Sequence, residues 1–594
     1  MEDTDTVTQL NIDGEVIGDK LRVANHFNNF FANVGKKIAN SVPPVQKKPE
    51  EYVNYGRDIP NLQLGNTTPE HVIKIIKKFA AKSSSDVHGV STKMIKFIGQ
   101  EIASPLAHIF NISLQTGQFP KNLKKCRVIP IFKAGDPLDC DNYRPISLLS
   151  SISKVLEKIV AEKLVYHLNI NDLLYQHQYG FLAKRSTEQN LMQILNFVTK
   201  ALNDNMFCIG VFLDLRKAFD VCSHDILLAK LKRMGIQGTA LEWFKNYLSD
   251  RTMVVDINGS FSNPCSLDIS VIQGSILGPI LFLCYINDFW SVTTLFSVLF
   301  ADDGTCLGKG NNLSQLTVYV NSELQKISNW FRANRMAVNT AKTKFMVFRT
   351  RGKAINPIDC QLVFNENELG LPDDPELIHP IERIHNEGAS QNFKLLGVLF
   401  DEFLSFDDHI SHLCANISKS LFCINRIKNF VSQETKKTLY SAMIHSHLVY
   451  CMSVYGSANK TSLNRLKVKQ KEAIRVICNA GYREHTAPLF ARLKILPIDQ
   501  LIELSILKFM HSFHHNLLPL SFNDMWLLNR NRQPERELRN ADQLYIPPHR
   551  FATLKRLPLF NFPTVWNSAG NEKNNPRQHV YLKLLKSRLL LNLR

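Results

Sequence analysis

Twelve cysteines are scattered through the chain without one Cys-x-x-Cys pair and without a cysteine–histidine group at zinc-finger spacing. Structural zinc and a disulfide framework are thereby excluded as organising devices. Thiols set in apolar runs, Cys284 and Cys306 among them, read as buried residues of a reducing compartment. A membrane span is missing as well. Crossing a bilayer takes about 20 consecutive apolar residues, and the longest candidate, Ile276 to Ile286, is interrupted by Gly278 and Pro279. The opening residues Met1-Glu-Asp-Thr-Asp5 are acidic and polar, unlike a secretory or organellar leader. Nucleus, cytoplasm or both are the expected locations, with no membrane partner. No internal repeat or low-complexity tract is present, and 44% hydrophobic against 21% charged residues excludes a disordered chain.

What is present is length and positive charge. At 594 residues the chain exceeds one simple core, so several domains or subdomains are expected. Residues 1–400 carry +4 of the net +18, and residues 401–594 carry +14. A basic C-terminal third on a near-neutral body suits a surface that meets phosphate.

The hydrophobic pattern predicts a helix around Leu21 to Ile38, then a linker with Pro43, Pro44, Lys47 and Lys48. Thr68-Pro-Glu70 reads as a capped helix start, Ile102 to Leu114 as a second helix, Val128 to Phe132 as a strand, and Ser153 to Leu168 as a helix. The middle of the chain alternates. Strand Cys208–Leu213 precedes helix His224–Met234, a helical piece at Trp243–Leu248 and strand Met253–Ile257 before Asn258-Gly259. Helix Ile276–Phe289, a hairpin at Val298–Leu307, helix 314–335 and a strand within Ala337–Phe348 follow. Strands and helices out of strict βαβ order favour an α+β fold over a doubly wound sheet. Residues 353–391, polar and acidic, are expected to form a surface insertion or loop. From residue 407 the chain is mostly helical, with helices over 431–455 and 461–478, a boundary near 528–548 and a terminal helix over 579–594.

Two strings carry the chemistry. One is Phe212-Leu-Asp214-Leu-Arg-Lys-Ala-Phe219-Asp220, and the other is Phe300-Ala-Asp302-Asp303, 88 residues downstream of Asp214. Each sets a carboxylate at the edge of an apolar strand, where an unpaired charge is costly. Divalent cations relieve that cost, and two of them held by shared carboxylates are the machinery of polymerases and many nucleases. Asp303-Gly304 is a hairpin-turn dipeptide, so the second pair is expected at the apex of a tight turn. Pairing the two elements would set Asp214 and Asp302 on opposite walls of one cation site.

Taken together, F-L-D-L-x-K-A-F-D, Q-G-S-x-L-G-P-x-L-F and F-A-D-D resemble the motifs of reverse transcriptases from non-LTR (LINE-type) retrotransposons, jockey-like ones in particular. Asp141-Asn-Tyr-Arg144-Pro145-Ile-Ser-Leu-Leu is similar to that family's first fingers motif. Gln178-Tyr-Gly180-Phe181 with Arg185-Ser-Thr187 is similar to the second. Val271-Ile272-Gln273-Gly274-Ser275, continued by Tyr285-Ile-Asn-Asp288, resembles the palm motif after the first aspartate. Asn339, Lys342-Thr343 and Phe393-Lys-Leu-Leu-Gly397-Val resemble the late palm and primer-grip motifs.

The resemblance implies a right-hand polymerase with fingers, palm and thumb, an α+β fold with an additional helical C-terminal region. Its expected divisions are an N-terminal extension or linker over 1–60 and fingers with the start of the palm over 61–205. A catalytic palm over 206–400 would carry the acidic insertion 353–391, with a helical thumb and connector over 401–530 and a basic C-terminal region over 531–594. It implies an RNA-directed DNA polymerase that extends a primer 3′-hydroxyl with dNTPs on an RNA template. RNA template, DNA primer, RNA–DNA hybrid and dNTP are the implied partners. Two Mg²⁺ ions, with Mn²⁺ as a possible substitute, would be held by Asp214, Asp302, Asp303 and the backbone carbonyl of Leu215. Phe219 corresponds to the steric gate that excludes a ribose 2′-hydroxyl. Gln273 and Gly274 would support the incoming nucleotide, Lys133 and Arg144 would reach the triphosphate, and Lys342 is a further nucleotide-binding candidate. In the thumb, Arg465, Lys467, Lys469, Lys471 and Arg475 would track phosphates of the template–primer duplex.

The sequence departs from the family pattern in three places. Ile272 stands where a proline usually precedes the glutamine, and Leu182-Ala-Lys184-Arg185 replaces a basic or glycine-rich stretch. The upstream endonuclease that relatives generally carry is expected to be lacking, since Phe27 to Gly35 resembles the segment that normally precedes the fingers. Asp220 is read as structural, a helix N-cap rather than a ligand. The alternative reading is a catalytically inactive, retroelement-derived nucleic-acid-binding protein. An RNA-synthesising polymerase is a third, and Phe219 argues against it.

Overall fold

A computed structural model describes residues 7, 9–53, 55–367, 374–385, 392–532 and 540–591. After a short hairpin of Leu10–Ile12 and Glu15–Ile17 comes helix α1 (Lys20–Ser41). Strands β1 (Lys125–Phe132) and β2 (Tyr143–Leu149) follow, then helices α2 (Ser151–Ile170) and α3 (Thr187–Asn203). Strand β3 (Phe207–Leu213), strand β4 (Arg251–Ile257) and helix α4 (Leu277–Ile286) lead to the hairpin of β5 (Phe296–Phe300) and β6 (Asp303–Gly310). Helix α5 (Leu313–Ala333), strands β7 (Lys344–Phe348) and β8 (Glu382–Ile384), and a second hairpin of β9 (Phe393–Leu395) and β10 (Val398–Phe400) complete the mixed part. Beyond it the longer helices are α6 (Asp407–Ile427), α7 (Lys460–Cys478), α8 (Ile498–His514) and α9 (Gln578–Leu591). The α+β expectation agrees with this order.

The central sheet runs β8-β7-β3-β6-β5, antiparallel except for the β7–β8 pair. Its middle strand β3 is apolar throughout because both faces are covered. Ile209, Val211 and Leu213 join the core built with α2, α4 and α5, whereas Cys208 and Phe212 join the core built with α3 and the C-terminal helices. A strand buried on both faces reads as a continuous apolar run, and its end is where a carboxylate can emerge.

A second sheet is built on β2-β1-β4, with the short strands Ser260–Phe261 and Cys265–Leu267 pairing β4. Pro145 is tolerated because β2 is the edge strand. Helix α1 lies on this sheet. Asp19 caps it by accepting from the Arg22 amide (2.8 Å), and Val23, Phe27 and Phe31, four residues apart, bury one face against Val128, Tyr143, Val255 and Ile272. Each such side chain contributes about 1.5–3 kcal/mol. Residues 20–41 are thus a packed part of the sheet rather than a free extension.

Two expectations are corrected. The stretch 353–391 is not a surface loop in its described part. Strand β8 extends the central sheet, and Cys360, Leu362, Phe364 and Ile381 are buried in its core; residues 368–373 and 386–391 lie outside the described residues. The single helix expected over 431–455 is divided into Gln433–Tyr440, a π turn at Ser441–His445, Ser446–Val449 and Met452–Tyr455. Its break falls at Cys451, whose φ is 50°, where Tyr450 turns to donate to the Leu396 carbonyl (2.7 Å). The terminal helix is found as α9, held by buried Tyr581, Leu585 and Leu589. No helix among the described residues is long and apolar enough to cross a membrane.

Candidate active site

Asp214 follows the last residue of β3. Its amide donates to Thr343 Oγ1 (3.3 Å), and its carbonyl accepts from the Asn339 amide (2.8 Å). The Arg216 amide donates to the Ala337 carbonyl (2.9 Å), so Leu215 is the unbonded residue between two antiparallel bonds. That pattern directs the Leu215 carbonyl to the opposite strand edge, the side of β6. On that side Gly304 pairs with Leu213, which brings Asp303 level with Asp214. Asp302 lies one residue further, in the turn.

That turn differs from the expected one. Asp303 already pairs with Phe300, so the two linking residues are Ala301 and Asp302 rather than Asp303 and Gly304. Ala301 has φ 56°, a left-handed conformation that alanine adopts only under constraint. The constraint is the segment His177–Gly180. The Gln178 Oε1 accepts from both the Ala301 amide (2.9 Å) and the Gly180 amide (2.8 Å). The Tyr179 amide donates to the Leu299 carbonyl (2.8 Å), and the Leu299 amide to the His177 carbonyl (2.9 Å). A Cβ on Gly180 would stand 2.3 Å from the Ala301 nitrogen, so only glycine admits this approach. Arg185 holds the segment from behind, donating to the Gln178 carbonyl (2.8 Å). The second fingers-like motif therefore clamps the carboxylate turn.

The site couples its acids to nearby cations. Burial, reinforced by Asp214, raises the pKa of Asp302, while Arg144 and Lys133 oppose the shift. Partial burial and the charges of Asp302 and Asp214 push Asp303 up to about 6. Lys133 is lowered, by burial first and then by Arg144 and Lys342, with Asp214 opposing. Lys133 and Arg144 are exposed on the second sheet and form no ion pair among the described residues. Asp302 and Asp303, whose ionisation the charge of Asp214 disfavours, form with Asp214 a carboxylate donor set of the kind suited to hard divalent cations. Among the described residues no group of three His, Cys, Asp or Glu side chains is placed to hold a metal ion; Mg²⁺ needs only one or two carboxylates and completes its shell with substrate phosphates and water.

Phe219 lies on the loop that follows Asp214. Its ring stacks on buried Phe282 (centroids 4.6 Å) and meets half-exposed Phe181 edge-on (5.9 Å). Its carbonyl accepts from the Val271 amide (3.0 Å). Gln273 Nε2 donates to Asp220 Oδ1 (3.0 Å), and the Gln273 carbonyl accepts from the Ser147 amide (2.9 Å). Gly274 has φ 108°, and a Cβ there would lie 2.5 Å from the Ser147 carbonyl oxygen. Gln273-Gly274 thus ties the Phe219 loop to β2 close to Arg144. Asp220 is buried and does not cap a helix; the next helix begins at His224 after Ser223. Ile272, at the position of the family's proline, is buried under α1. Lys342 is exposed and borders, with Asp214, Asp303, Phe393 and Leu396, a cavity of about 260 Å³ between the acids and the β9–β10 hairpin. Phe212 stacks on Phe393 (4.2 Å) and fixes that hairpin to the central sheet.

The five basic residues of α7 do not share one face. Four of them are spaced by twos and Arg475 lies four further on, so they divide around a buried ridge of Leu466, Gln470, Ala473, Ile474 and Ile477. Arg465 donates to Ser411 Oγ (3.1 Å), Lys467 pairs with Asp499, Lys469 with Glu472 (3.0 Å), and Arg475 donates to the Glu484 carbonyl (3.0 Å). Sequence reasoning missed Gln178, Phe181 and Phe282 as site-building residues. All three stood in recognised motifs, but nothing local showed what they touch. Asp288, in the other motif, is explained by burial: it pairs with fully buried Lys230 (2.6 Å) and accepts from Trp330 Nε1 (2.9 Å).

Residues 131–400 match the reverse transcriptase (RNA-dependent DNA polymerase) family. The chain is 27% identical over 472 residues to the RNA-directed DNA polymerase from mobile element jockey of Drosophila melanogaster, covering 77% of this chain and 49% of that protein. It is 26% identical over 463 residues to a probable RNA-directed DNA polymerase from transposon BS of the same fly, covering 76% and 49%. To the corresponding protein of transposon X-element it is 24% identical over 484 residues, covering 79% and 50%. The chain spans about half the length of the curated relatives it matches. The motif order, the paired strand ends and these matches agree: residues 131–400 match a reverse transcriptase domain, and the chain is similar to the RNA-directed DNA polymerases of jockey-like mobile elements.

Proposed function

We propose that the chain is an RNA-directed DNA polymerase that adds deoxynucleotides to a primer 3′-hydroxyl on an RNA template. The observation that carries the reading is the meeting of Asp214, Asp302 and Asp303 at one end of β3 and β6, with Phe219 on the loop that follows Asp214. In right-hand terms the central sheet is the palm, the β1-β2-β4 sheet belongs to the fingers, and the helices after residue 401 make the thumb and connector.

The three carboxylates and the Leu215 carbonyl would hold two divalent ions, Mg²⁺ or in its place Mn²⁺. Bound there, these ions supply activation of the primer hydroxyl and charge neutralisation on the departing pyrophosphate. Lys133 and Arg144 stand on the fingers side as free cations for the triphosphate, where paired positive charge suits a multiply charged group. Gln273-Gly274 keeps the nucleotide floor joined to β2. The Phe219 ring, backed by Phe282, cannot retreat and so excludes a 2′-hydroxyl. The cavity by Lys342 and the β9–β10 hairpin would receive the primer terminus. In α7, Lys471 and the outward surface beside it remain for the duplex backbone.

Extension of oligo(dT) on poly(rA) with dTTP or ribonucleotide tests the reading. The parent is expected to use dTTP, and Phe219→Val to admit the ribonucleotide by at least about 10-fold more, the scale of removing one steric contact. A parent that binds template–primer and never extends it would leave only the inactive nucleic-acid-binding reading.

A further inference from the structure

Gly35 lies in the interior of α1, where alanine would be favoured by about 1 kcal/mol on helix propensity alone. Its backbone is helical, so conformational freedom does not explain it. Contact does: a Cβ at this position would stand 2.0 Å from the Asp220 carbonyl oxygen and 2.8 Å from its carbon. Helix α1 therefore rests directly on the loop that follows Asp214, one residue past Phe219. The same helix touches that loop again, with Lys217 Nζ 5.6 Å from the Phe30 ring centroid, and it is tied by Lys36 to Asp268. The loop is held from its other side by the Val271 and Ser270 amides, which donate to the carbonyls of Phe219 and Cys222 (both 3.0 Å). It has no slack in which to absorb a methyl group.

We infer that Gly35 is a positioning residue for Phe219, so that the N-terminal helix sets the sugar selectivity of the polymerase. The inference rests on the function proposed above. Gly35→Ala must displace the Asp220 carbonyl by about 1.4 Å to restore ordinary contact, and with it the ring on which the sugar would pack. A shift of that size costs on the order of 10- to 100-fold in a discriminating step.

The test is steady-state incorporation of dGTP and GTP on poly(rC)/oligo(dG) by the full chain, giving kcat and KM for each. Gly35→Ala and Phe30→Leu are compared with the parent, and Lys37→Ala, exposed on the same helix, serves as control. Phe30→Leu keeps the helix and removes the ring beside Lys217, so it answers the question if Gly35→Ala fails to fold. The expected result is a loss of dGTP-over-GTP selectivity, carried by KM, at unchanged template–primer Kd and unchanged control. Equal losses in kcat for both nucleotides with selectivity retained would overturn the inference, as would a fully parental Gly35→Ala. A parent that adds neither nucleotide would overturn the polymerase reading and this inference together.

Discussion

Gly180→Ala is the perturbation whose consequence is most directly fixed by geometry. The new methyl would sit 2.3 Å from the Ala301 nitrogen, 2.9 Å from its Cα and 3.0 Å from its Cβ, where ordinary contact begins at 3.4 Å. Relief requires a displacement of about 1 Å. His177–Gly180 is held by Leu299 and Arg185 and cannot yield alone, so the strained Ala301–Asp302 turn moves. Overpacking of this kind costs about 1–3 kcal/mol. A catalytic carboxylate displaced by about 1 Å costs about 100-fold in rate, equivalent to about 2.7 kcal/mol of barrier. The assay is single-turnover primer extension, with template–primer Kd and thermal unfolding measured on the same preparations. The expected variant binds template–primer as the parent does and extends it about 100-fold more slowly. Parental extension would refute the claim that this segment sets the carboxylate turn.

Two further substitutions probe the same frame. Burial raises Asp220 from 3.8 to about 6, against the opposing effects of Lys217 and Gln273. The folded state therefore binds that proton more tightly than the unfolded chain, and stability falls as pH rises from about 4 to 6. Asp220→Asn keeps an oxygen for Gln273 and should gain up to about 3 kcal/mol over the parent at pH 7 relative to pH 4; urea midpoints at the two pH values that shift in parallel would contradict this. Lys230→Met leaves Asp288 buried without its cation and should cost about 3–5 kcal/mol, with part recovered in Lys230→Met/Asp288→Asn. A single variant with the parental urea midpoint would show that the pair is not coupled.

The site was legible because each of its strings is short and local. An aspartate ending an apolar run, as Asp214 does, announces a strand terminus, and Phe219 and Asp302 lie at fixed offsets within their own strings. What the sequence hid depends on partners distant in the chain. Helix α3 is not among the elements read from the sequence, although Leu191, Ile194, Leu195, Val198 and Leu202 recur at helical spacing; what the pattern does not announce is that its polar Asn190, Gln193 and Thr199 are buried as well. Strand β8 is three residues in an acidic stretch, and its parallel pairing with β7 leaves no local signal. The Ala301–Asp302 turn ran against the Asp-Gly rule because Gln178, more than 120 residues earlier, holds alanine left-handed. Basic residues at every second position of α7 suggested a charged face, yet a helical repeat of 3.6 divides them.

The central claim is that Asp214 and Asp302 are the chemistry of one polymerase site. Asp302→Ala and Asp214→Ala, each assayed for dTTP addition on poly(rA)/oligo(dT) beside a salt titration of template–primer binding, test it directly. Loss of extension below detection in both variants is predicted, with binding retained and weakening with salt as in the parent. Extension at the parental rate by either variant would contradict it.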